Sequence, residues 1–176
     1  DADEIFVSAE LVVKVKEPQS EEIERLRKDQ TLFTYLHLAP DEEQTDGLLQ
    51  SGATAIAYET VTDNRGRLPL LAPMSEVAGR MSVQAGATGL EIKNGGRGVL
   101  LGGVPGVASG KVVVIGGGVV GTNAAFIASG MGASVTILDK SQSRMAELDF
   151  QFQSLITTLY STSQTIEETV MDADLV

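Results

Sequence analysis

Several residue types and patterns are missing from this chain, and each absence narrows what it can be. Its 176 residues include no cysteine, which excludes a disulfide framework, a thiolate metal site and a cysteine nucleophile. One histidine is too few to support a metal site beside the carboxylates, so none is predicted. The 13 basic residues are outnumbered by 24 acidic ones, giving a net charge of −11. Because nucleic-acid binders usually carry basic stripes, no nucleic-acid partner is expected.

Long apolar segments are missing as well. No stretch of about 20 residues is apolar throughout, so no membrane span or membrane partner is predicted. The first residues, Asp-Ala-Asp-Glu, do not form a basic and apolar signal segment, which makes a cytoplasmic protein the default expectation. The chain begins without Met, and residues 174–176 resemble the start of another strand. We therefore expect an internal piece of a longer protein.

What the chain does contain is a strand, a glycine turn and a helix within residues 111–139. Residues 112–115 are a continuous β-branched run, which is typical of a parallel strand buried on both faces. Gly116, Gly118 and Gly121 then follow with G-x-G-x-x-G spacing. In that motif the first glycine allows a tight turn, the second admits a pyrophosphate, and the third lets the helix pack on the strand. The sequence therefore predicts a dinucleotide site.

An acidic residue closes the second strand of this motif. Asp139 lies 18 residues beyond Gly121, close to the roughly 20 expected for the acid that binds the adenosine ribose hydroxyls. A carboxylate there repels a 2′-phosphate, so NAD is predicted rather than NADP. Arg144 could meet such a phosphate, but its place on an amphipathic helix is more typical of a solvated side chain. The alternative is a doubly wound domain whose glycines serve packing only.

Strand-like and helix-like segments alternate along the chain. This order predicts an α/β protein with two Rossmann-like, doubly wound parallel-sheet domains, both incomplete. Residues 1–69 are assigned to one domain, 70–110 to a linking helix and Gly-rich loop, and 111–176 to the first half of a nucleotide-binding domain. The predicted strands are 11–16, 31–38, 54–61, 112–115, 134–138 and 155–160. The predicted helices are 20–28, 41–50, 75–92, 119–130, 144–152 and 163–171.

Three ionisable residues fall at or near the carboxyl ends of the first three predicted strands. In an open parallel sheet these ends hold the ligand. Lys16 could polarise a carbonyl, and His37 could exchange protons at neutral pH. Each also has a structural interpretation. Lys16 could be a solvated strand-end lysine, His37 a hydrogen-bonded structural residue, and Glu59 a capping residue or a partner of Arg67.

Five longer segments resemble the bacterial L-alanine dehydrogenase family, part of a superfamily that includes NAD-binding transhydrogenase components. They are VVKVKEP (12–18), LFTYLHLA (32–39), AIAYETV (55–61), LPLLAPMSEVAGR (68–80) and GGRGVLLGGVPGV (95–107). The resemblance covers essentially the whole chain, and its motifs are long and in order. It is therefore far more specific than the glycine motif alone.

The resemblance implies roles for individual residues. Lys16 would bind the pyruvate oxygens, His37 would be the catalytic acid and base, and Met74 would contact substrate or nicotinamide. The cofactor-binding residues it implies are Ser75, Gly116, Gly118, Gly121, Asp139 and Ser161. Among these, Ser75 would reach the phosphates and Ser161 would lie near the adenine end.

The resemblance also implies a reaction. This is the reversible NAD-dependent oxidative deamination of L-alanine to pyruvate and ammonium, carried out by a homo-oligomer, a hexamer in the family. The family's carboxylate-binding Arg and a second active-site Asp lie outside residues 1–176, so we expect the isolated chain to be inactive. Two alternatives stay open. They are the NAD-binding component of a proton-translocating transhydrogenase and a non-catalytic NAD-sensing module.

Overall fold

The computed structural model describes all residues from 1 to 176 and divides into two compact units, Asp1–Ala72 and Pro73–Val176. Each unit holds one three-stranded sheet in which every strand pair is parallel. The prediction of an α/β chain with two Rossmann-like parallel sheets is confirmed. Each sheet has half the six strands of a full Rossmann sheet.

The first unit alternates helices and strands. Its helices are α1 (Ala2–Ser8), α2 (Ser20–Glu24) and α3 (Glu42–Ser51), and its strands are β1 (Leu11–Val13), β2 (Thr31–Thr34) and β3 (Thr54–Ala57). A 3₁₀ turn at Tyr58–Thr60 follows β3. The strands lie side by side in the order β1-β2-β3.

Local sequence signals set the ends of α3. The Asp41 side chain accepts a hydrogen bond from Gln44 N at the start, and Gly52 closes the helix in the left-handed conformation at φ 69°. The core lies on one face of the sheet, where Val12 and Leu32 pack with residues of the helices. Side chains that point to the opposite face of the sheet are exposed, among them Leu11, Val13 and Ile56.

The predicted strands of the first unit, 11–16, 31–38 and 54–61, are too long. The β2–β3 ladder ends at the pair Thr34 and Ala57. Beyond it, the N–H groups of Leu36 and His37 donate to the Glu59 side chain instead of to a neighbouring strand. The pattern of apolar residues does not show where the ladder stops, because the Glu59 side chain accepts hydrogen bonds that a neighbouring strand would otherwise accept.

Two helices of the first unit also differ from the prediction. Helix α2 ends at Glu24 rather than at residue 28, because its last turn tightens into bonds such as Leu26 N to Ile23 O. Helix α1 was not predicted. At its start the Asp1 side chain accepts a hydrogen bond from Glu4 N at 2.9 Å.

The second unit contains four helices and three strands. They are α4 (Ala72–Gly89, beginning at the unit boundary), β4 (Lys111–Ile115), α5 (Val119–Gly130), β5 (Ser134–Asp139), α6 (Gln142–Phe152), β6 (Ile156–Tyr160) and α7 (Ser163–Met171). A 3₁₀ turn at Ile92–Asn94 follows α4. Helix α4 was predicted at 75–92 and lies one turn earlier, since Pro73 is well tolerated in a first turn, where no N–H is needed.

The strand order places β4 inside the sheet. The three strands lie in the order β4-β5-β6, and Leu175 pairs in parallel with Val112 on the other edge of β4. The expected strand start at residues 174–176 is thus confirmed by this bridge. β4 therefore lies where the strand order reverses, the point at which open α/β sheets bind ligands.

Small residues bring the helices of the second unit close together. Ala124, Ala125 and Ala128 of α5 pack in one core with Val112 and Ile137. On α4, a Cβ added at Gly79 would lie 2.2 Å from the Val120 carbonyl oxygen. Helices α4 and α5 are therefore in backbone contact at Gly79. None of the helices combines the length and hydrophobicity that a bilayer span demands.

Candidate active site

Two lysines follow one another closely at the end of β1, and their surroundings differ. Lys14 forms an ion pair with Glu22, and both side chains are largely buried. Lys16 has a side chain that is 83% exposed, with Nζ 4.0 Å from Glu17 Oε2. Its backbone is fixed, because Thr34 Oγ1 donates to the Lys16 carbonyl at 2.9 Å. Lys16 therefore presents an exposed ammonium group, next to Glu17, from an anchored position.

The His37 ring has neighbours on two sides. Its Nε2 lies 3.5 Å from Glu17 Oε1, and Tyr35 stacks nearly parallel to it at a centroid distance of 6.0 Å. The Glu17 carboxylate thus faces the ammonium of Lys16 with one oxygen and the imidazole of His37 with the other. This places the two predicted catalytic side chains together at the carboxyl end of the first sheet.

Glu59, the third ionisable residue predicted near this edge, contacts the backbone of His37. Its Oε1 accepts from His37 N at 2.6 Å and from Leu36 N at 3.1 Å. Burial raises the pKa of Glu59, but the bonds from these N–H groups outweigh it, and the net pKa lies below its ordinary value. The suggested pairing with Arg67 is wrong, because Arg67 Nε bonds Asp63 at 2.7 Å.

His37 and Glu17 also border an open cleft of about 560 Å³ within the first unit. Helices α2 and α3 supply much of its lining, including Ile23 and Gln44. The imidazole, which is 42% exposed, is therefore within reach of a small solute.

The three motif glycines of the second unit have different surroundings. Gly116 has φ +100°, a conformation that side chains rarely adopt. A Cβ added at Gly121 would lie 1.9 Å from the Gly116 carbonyl oxygen, so the helix could not pack there. Gly118 has an ordinary φ of −67° and no atom within 4 Å of an added Cβ. Nothing in the protein itself requires glycine at 118, which fits a position kept clear for a ligand.

Helix α5 begins without a side-chain cap. The next two helices are capped, α6 by Ser141 and α7 by Thr162, whereas Gly118 provides no side-chain oxygen. The first N–H groups of α5 are therefore available to an outside acceptor. A helix start of this kind favours an anion such as a phosphate.

Asp139 and Arg144 hold the middle glycine of the turn from both sides. Asp139 Oδ2 accepts from Gly117 N at 2.7 Å, and Arg144 Nε donates to the Gly117 carbonyl at 2.7 Å. Bonds from Ser141 N–H, then from Gly117 N–H, lower the pKa of Asp139, so it is ionised at neutral pH. The prediction of a solvated Arg144 is wrong, since its guanidinium also bonds Thr122 Oγ1 at 2.8 Å.

The remaining predicted site residues lie in the second unit. Met74 and Ser75 occupy the first turn of α4, where Met74 is 42% exposed. Ser161 follows β6 and is buried, and its N–H donates to the Asp139 carbonyl at 2.9 Å. Ser161 therefore lies next to Asp139, the acidic residue that contacts the glycine turn.

Sequence reasoning missed the roles of Glu17 and Arg144. Glu17 stands between Lys16 and Pro18 in the motif at 12–18, yet only a structure shows that its carboxylate lies between Lys16 and His37. Arg144 lies three residues after the α6 cap Ser141. Its distance from Gly117 in sequence hides the contact.

In the second unit the glycine turn lies where the strand order reverses, and the second strand of the motif ends in an acidic residue. These features define a Rossmann-type α/β protein with the dinucleotide-binding fingerprint. Family models describe the chain further. The Alanine dehydrogenase/PNT N-terminal domain matches residues 1–78, and the Alanine dehydrogenase/PNT C-terminal domain matches residues 82–176. The chain belongs to the alanine dehydrogenase/PNT family.

Individual relatives agree with this assignment. The chain is 60% identical over 176 residues to an alanine dehydrogenase from Halomonas elongata, covering all of this chain and 47% of that protein. Among solved structures, an L-alanine dehydrogenase aligns with a TM-score of 0.83 at 56% identity, over 99% of this chain and 48% of that one. A transhydrogenase from Sinorhizobium meliloti shares the fold, with a TM-score of 0.71 at 22% identity over 99% of this chain and 51% of that one. The chain spans about half the length of the curated relatives it matches.

Proposed function

We propose that the protein containing this chain is an NAD-dependent alanine dehydrogenase. It would interconvert L-alanine, water and NAD⁺ with pyruvate, ammonium, NADH and a proton. The observation that carries this proposal is the meeting of Lys16 and His37 around the Glu17 carboxylate at the carboxyl end of the first sheet. The relatives named alanine dehydrogenase support it, since they match 95–100% of the chain at 54–60% identity.

The first unit supplies groups for the carbonyl chemistry. The Lys16 ammonium is suited to bind the oxygens of pyruvate and to stabilise negative charge that develops on oxygen. His37 is suited to take a proton from the water that attacks the imine carbon and later to protonate the departing amine. From the second unit, Met74 would contact the substrate or the nicotinamide, as the family resemblance implies.

The second unit supplies the cofactor site. The open N–H groups of α5 and the space at Gly118 fit a pyrophosphate, and the remaining lone pairs of Asp139 fit the ribose hydroxyls. Ser75 and Ser161 would complete the site on the phosphate and adenine sides. When bound, NAD⁺ supplies the hydride acceptor. The enzyme would act in the cytoplasm, and the family resemblance implies that it is a homo-oligomer.

The test is an assay of the full-length protein. Purified protein is supplied with NAD⁺ and L-alanine, and separately with NADH, pyruvate and ammonium, while absorbance at the NADH band is followed. Turnover in both directions that requires every substrate supports the proposal. Hydride exchange between nicotinamide nucleotides without pyruvate would instead indicate a transhydrogenase component, and NADH binding without turnover would indicate a sensing module.

A further inference from the structure

The backbone at His37 has an uncommon conformation. Only three non-glycine residues of the chain have positive φ, and His37 is one of them, at φ +48°. Left-handed backbone is unfavourable for a residue with a side chain unless its surroundings hold it there. Something must therefore fix the peptide that carries the imidazole.

Glu59 is the group that holds this peptide. Its Oε1 lies 2.6 Å from His37 N and 3.1 Å from Leu36 N, and its Oε2 lies 3.2 Å from Leu36 N. Two successive N–H groups therefore converge on one carboxylate. Such charge-assisted bonds are stronger than bonds between neutral groups.

The local fold brings Glu59 to this position. The chain leaves β3 after Ala57 and enters a 3₁₀ turn, whose cap bonds Val61 N to Tyr58 O. Because β3 neighbours β2 in the sheet, this turn places Glu59 beside the irregular segment that follows Thr34. A carboxylate on one strand end thus fixes the backbone that follows the next.

The imidazole direction depends on this backbone, because the ring's own contacts are loose. Nε2 is 3.5 Å from Glu17 Oε1, longer than a good hydrogen bond, and the Tyr35 ring is 6.0 Å away between centroids. Tyr35 itself is held by its hydroxyl, which donates to the Leu70 carbonyl at 2.5 Å. No close side-chain bond fixes the ring, so the backbone of His37, which sets the direction of the Cα–Cβ bond, limits where the imidazole can point.

We propose that Glu59 is a positioning residue that acts through His37, holding its backbone left-handed so that the imidazole faces the substrate. This inference rests on the proposed function. Glu59 itself touches no reacting atom. Its effect should therefore appear only when the His37 imidazole is present.

A double-mutant cycle in the full-length enzyme tests this dependence. We expect His37→Ala to lower kcat by roughly 10²-fold or more, the scale of general acid/base catalysis. Glu59→Ala should lower kcat by about tenfold or more, because small misplacements of a catalytic group are costly. Combining the two should lower kcat no further than His37→Ala alone, since groups that act as a unit are not additive.

A graded variant and a matched control complete the design. Glu59→Gln keeps one oxygen for His37 N but turns an amide N–H₂ toward a backbone N–H, so its kcat should fall between those of wild type and Glu59→Ala. Glu42→Gln, at an exposed carboxylate in the first turn of α3, should leave kcat unchanged. The dissociation constant of NADH, measured by fluorescence, should stay within about twofold in all variants, because the residues assigned to the cofactor lie in the second unit.

Two outcomes would overturn the inference. One is wild-type kcat in Glu59→Ala, and the other is a full additional loss when Glu59→Ala is added to His37→Ala, which would indicate general damage. If Glu59→Ala does not fold, Glu59→Gln takes its place in the cycle. If wild-type enzyme lacks alanine-dependent turnover, the proposed function fails before any variant is made, so the two failures are distinguishable.

Discussion

At the scale of single residues, the two lysines near the end of β1 are a matched pair. Lys14 is neutralised by Glu22, whereas the Lys16 ammonium is exposed beside Glu17 and His37. We expect Lys16→Met to lower kcat/KM for pyruvate by roughly 10²-fold or more, because it removes the charge that we propose binds and polarises the substrate oxygens. Steady-state kinetics of the full-length enzyme measure this.

Lys14→Met serves as the control, since it removes the same charge from the same strand end. It should lower the thermal midpoint, because it leaves the Glu22 carboxylate without its partner, but keep KM for pyruvate near wild type. An equal loss of kcat/KM in both variants would mean that Lys16 has no particular role at the substrate.

We propose that the carboxylate of Asp139 determines the choice of cofactor. Asp139→Ser removes an acceptor for the ribose hydroxyls and the charge that repels a 2′-phosphate. The full-length variant should bind NADH about tenfold or more weakly and show a smaller preference for NADH over NADPH. Dissociation constants for both nucleotides measure this. Asp172→Ser, at an exposed acid after α7, is the control, and an unchanged preference in Asp139→Ser would remove Asp139 from the ribose site.

At the scale of elements, alanine substitutions at two of the motif glycines, Gly118 and Gly121, should have different effects. Gly121→Ala forces a Cβ into the Gly116 carbonyl and should lower the free energy of unfolding by about 1–3 kcal/mol or more. Gly118→Ala meets no protein atom, so its stability should stay within about 1 kcal/mol of wild type.

Ligand binding reverses the contrast between the two glycines. If the pyrophosphate approaches the backbone at Gly118, Gly118→Ala should weaken NADH binding by about tenfold or more while the protein stays folded. Urea unfolding and NADH titration of the same samples separate the two effects. Normal NADH affinity in Gly118→Ala would place the phosphates elsewhere.

The elements also show where sequence reasoning succeeds. Helices α5 and α7 have the predicted bounds, and each begins directly after an N-cap residue that is local in sequence, Gly118 for α5 and Thr162 for α7. Strands β2 and β3 were predicted too long, because the Glu59 carboxylate that replaces their ladder bonds Leu36 and His37, which are 23 and 22 positions away in the chain. Arg144 was misjudged for the same reason. Contacts between distant residues decide these details, and a periodic pattern does not contain them.

At the scale of the whole molecule, residues 1–176 correspond to about half of the relatives' length. The resemblance places a carboxylate-binding Arg and a second acid in other segments. We expect the 176-residue polypeptide alone to show no measurable NADH oxidation with pyruvate and ammonium, whereas the full-length protein does. Circular dichroism confirms that both samples are folded before assay. Comparable specific activity in the shorter polypeptide would mean that essential groups have been assigned to the wrong place.

The pairing of β4 with Leu175 has a consequence for biosynthesis. Lys111 N donates to the Asp174 side chain, which lies 63 positions later in the chain. During synthesis, β4 therefore remains without its second neighbour until residues 174 and 175 have been made. At the usual pace of translation, this delay lasts roughly 3–13 seconds. During that interval one edge of β4 is bare and open to pairing with other nascent chains. Synonymous codon changes between residues 115 and 175, and the supply of chaperones while this segment is translated, should therefore influence how much protein reaches the folded state.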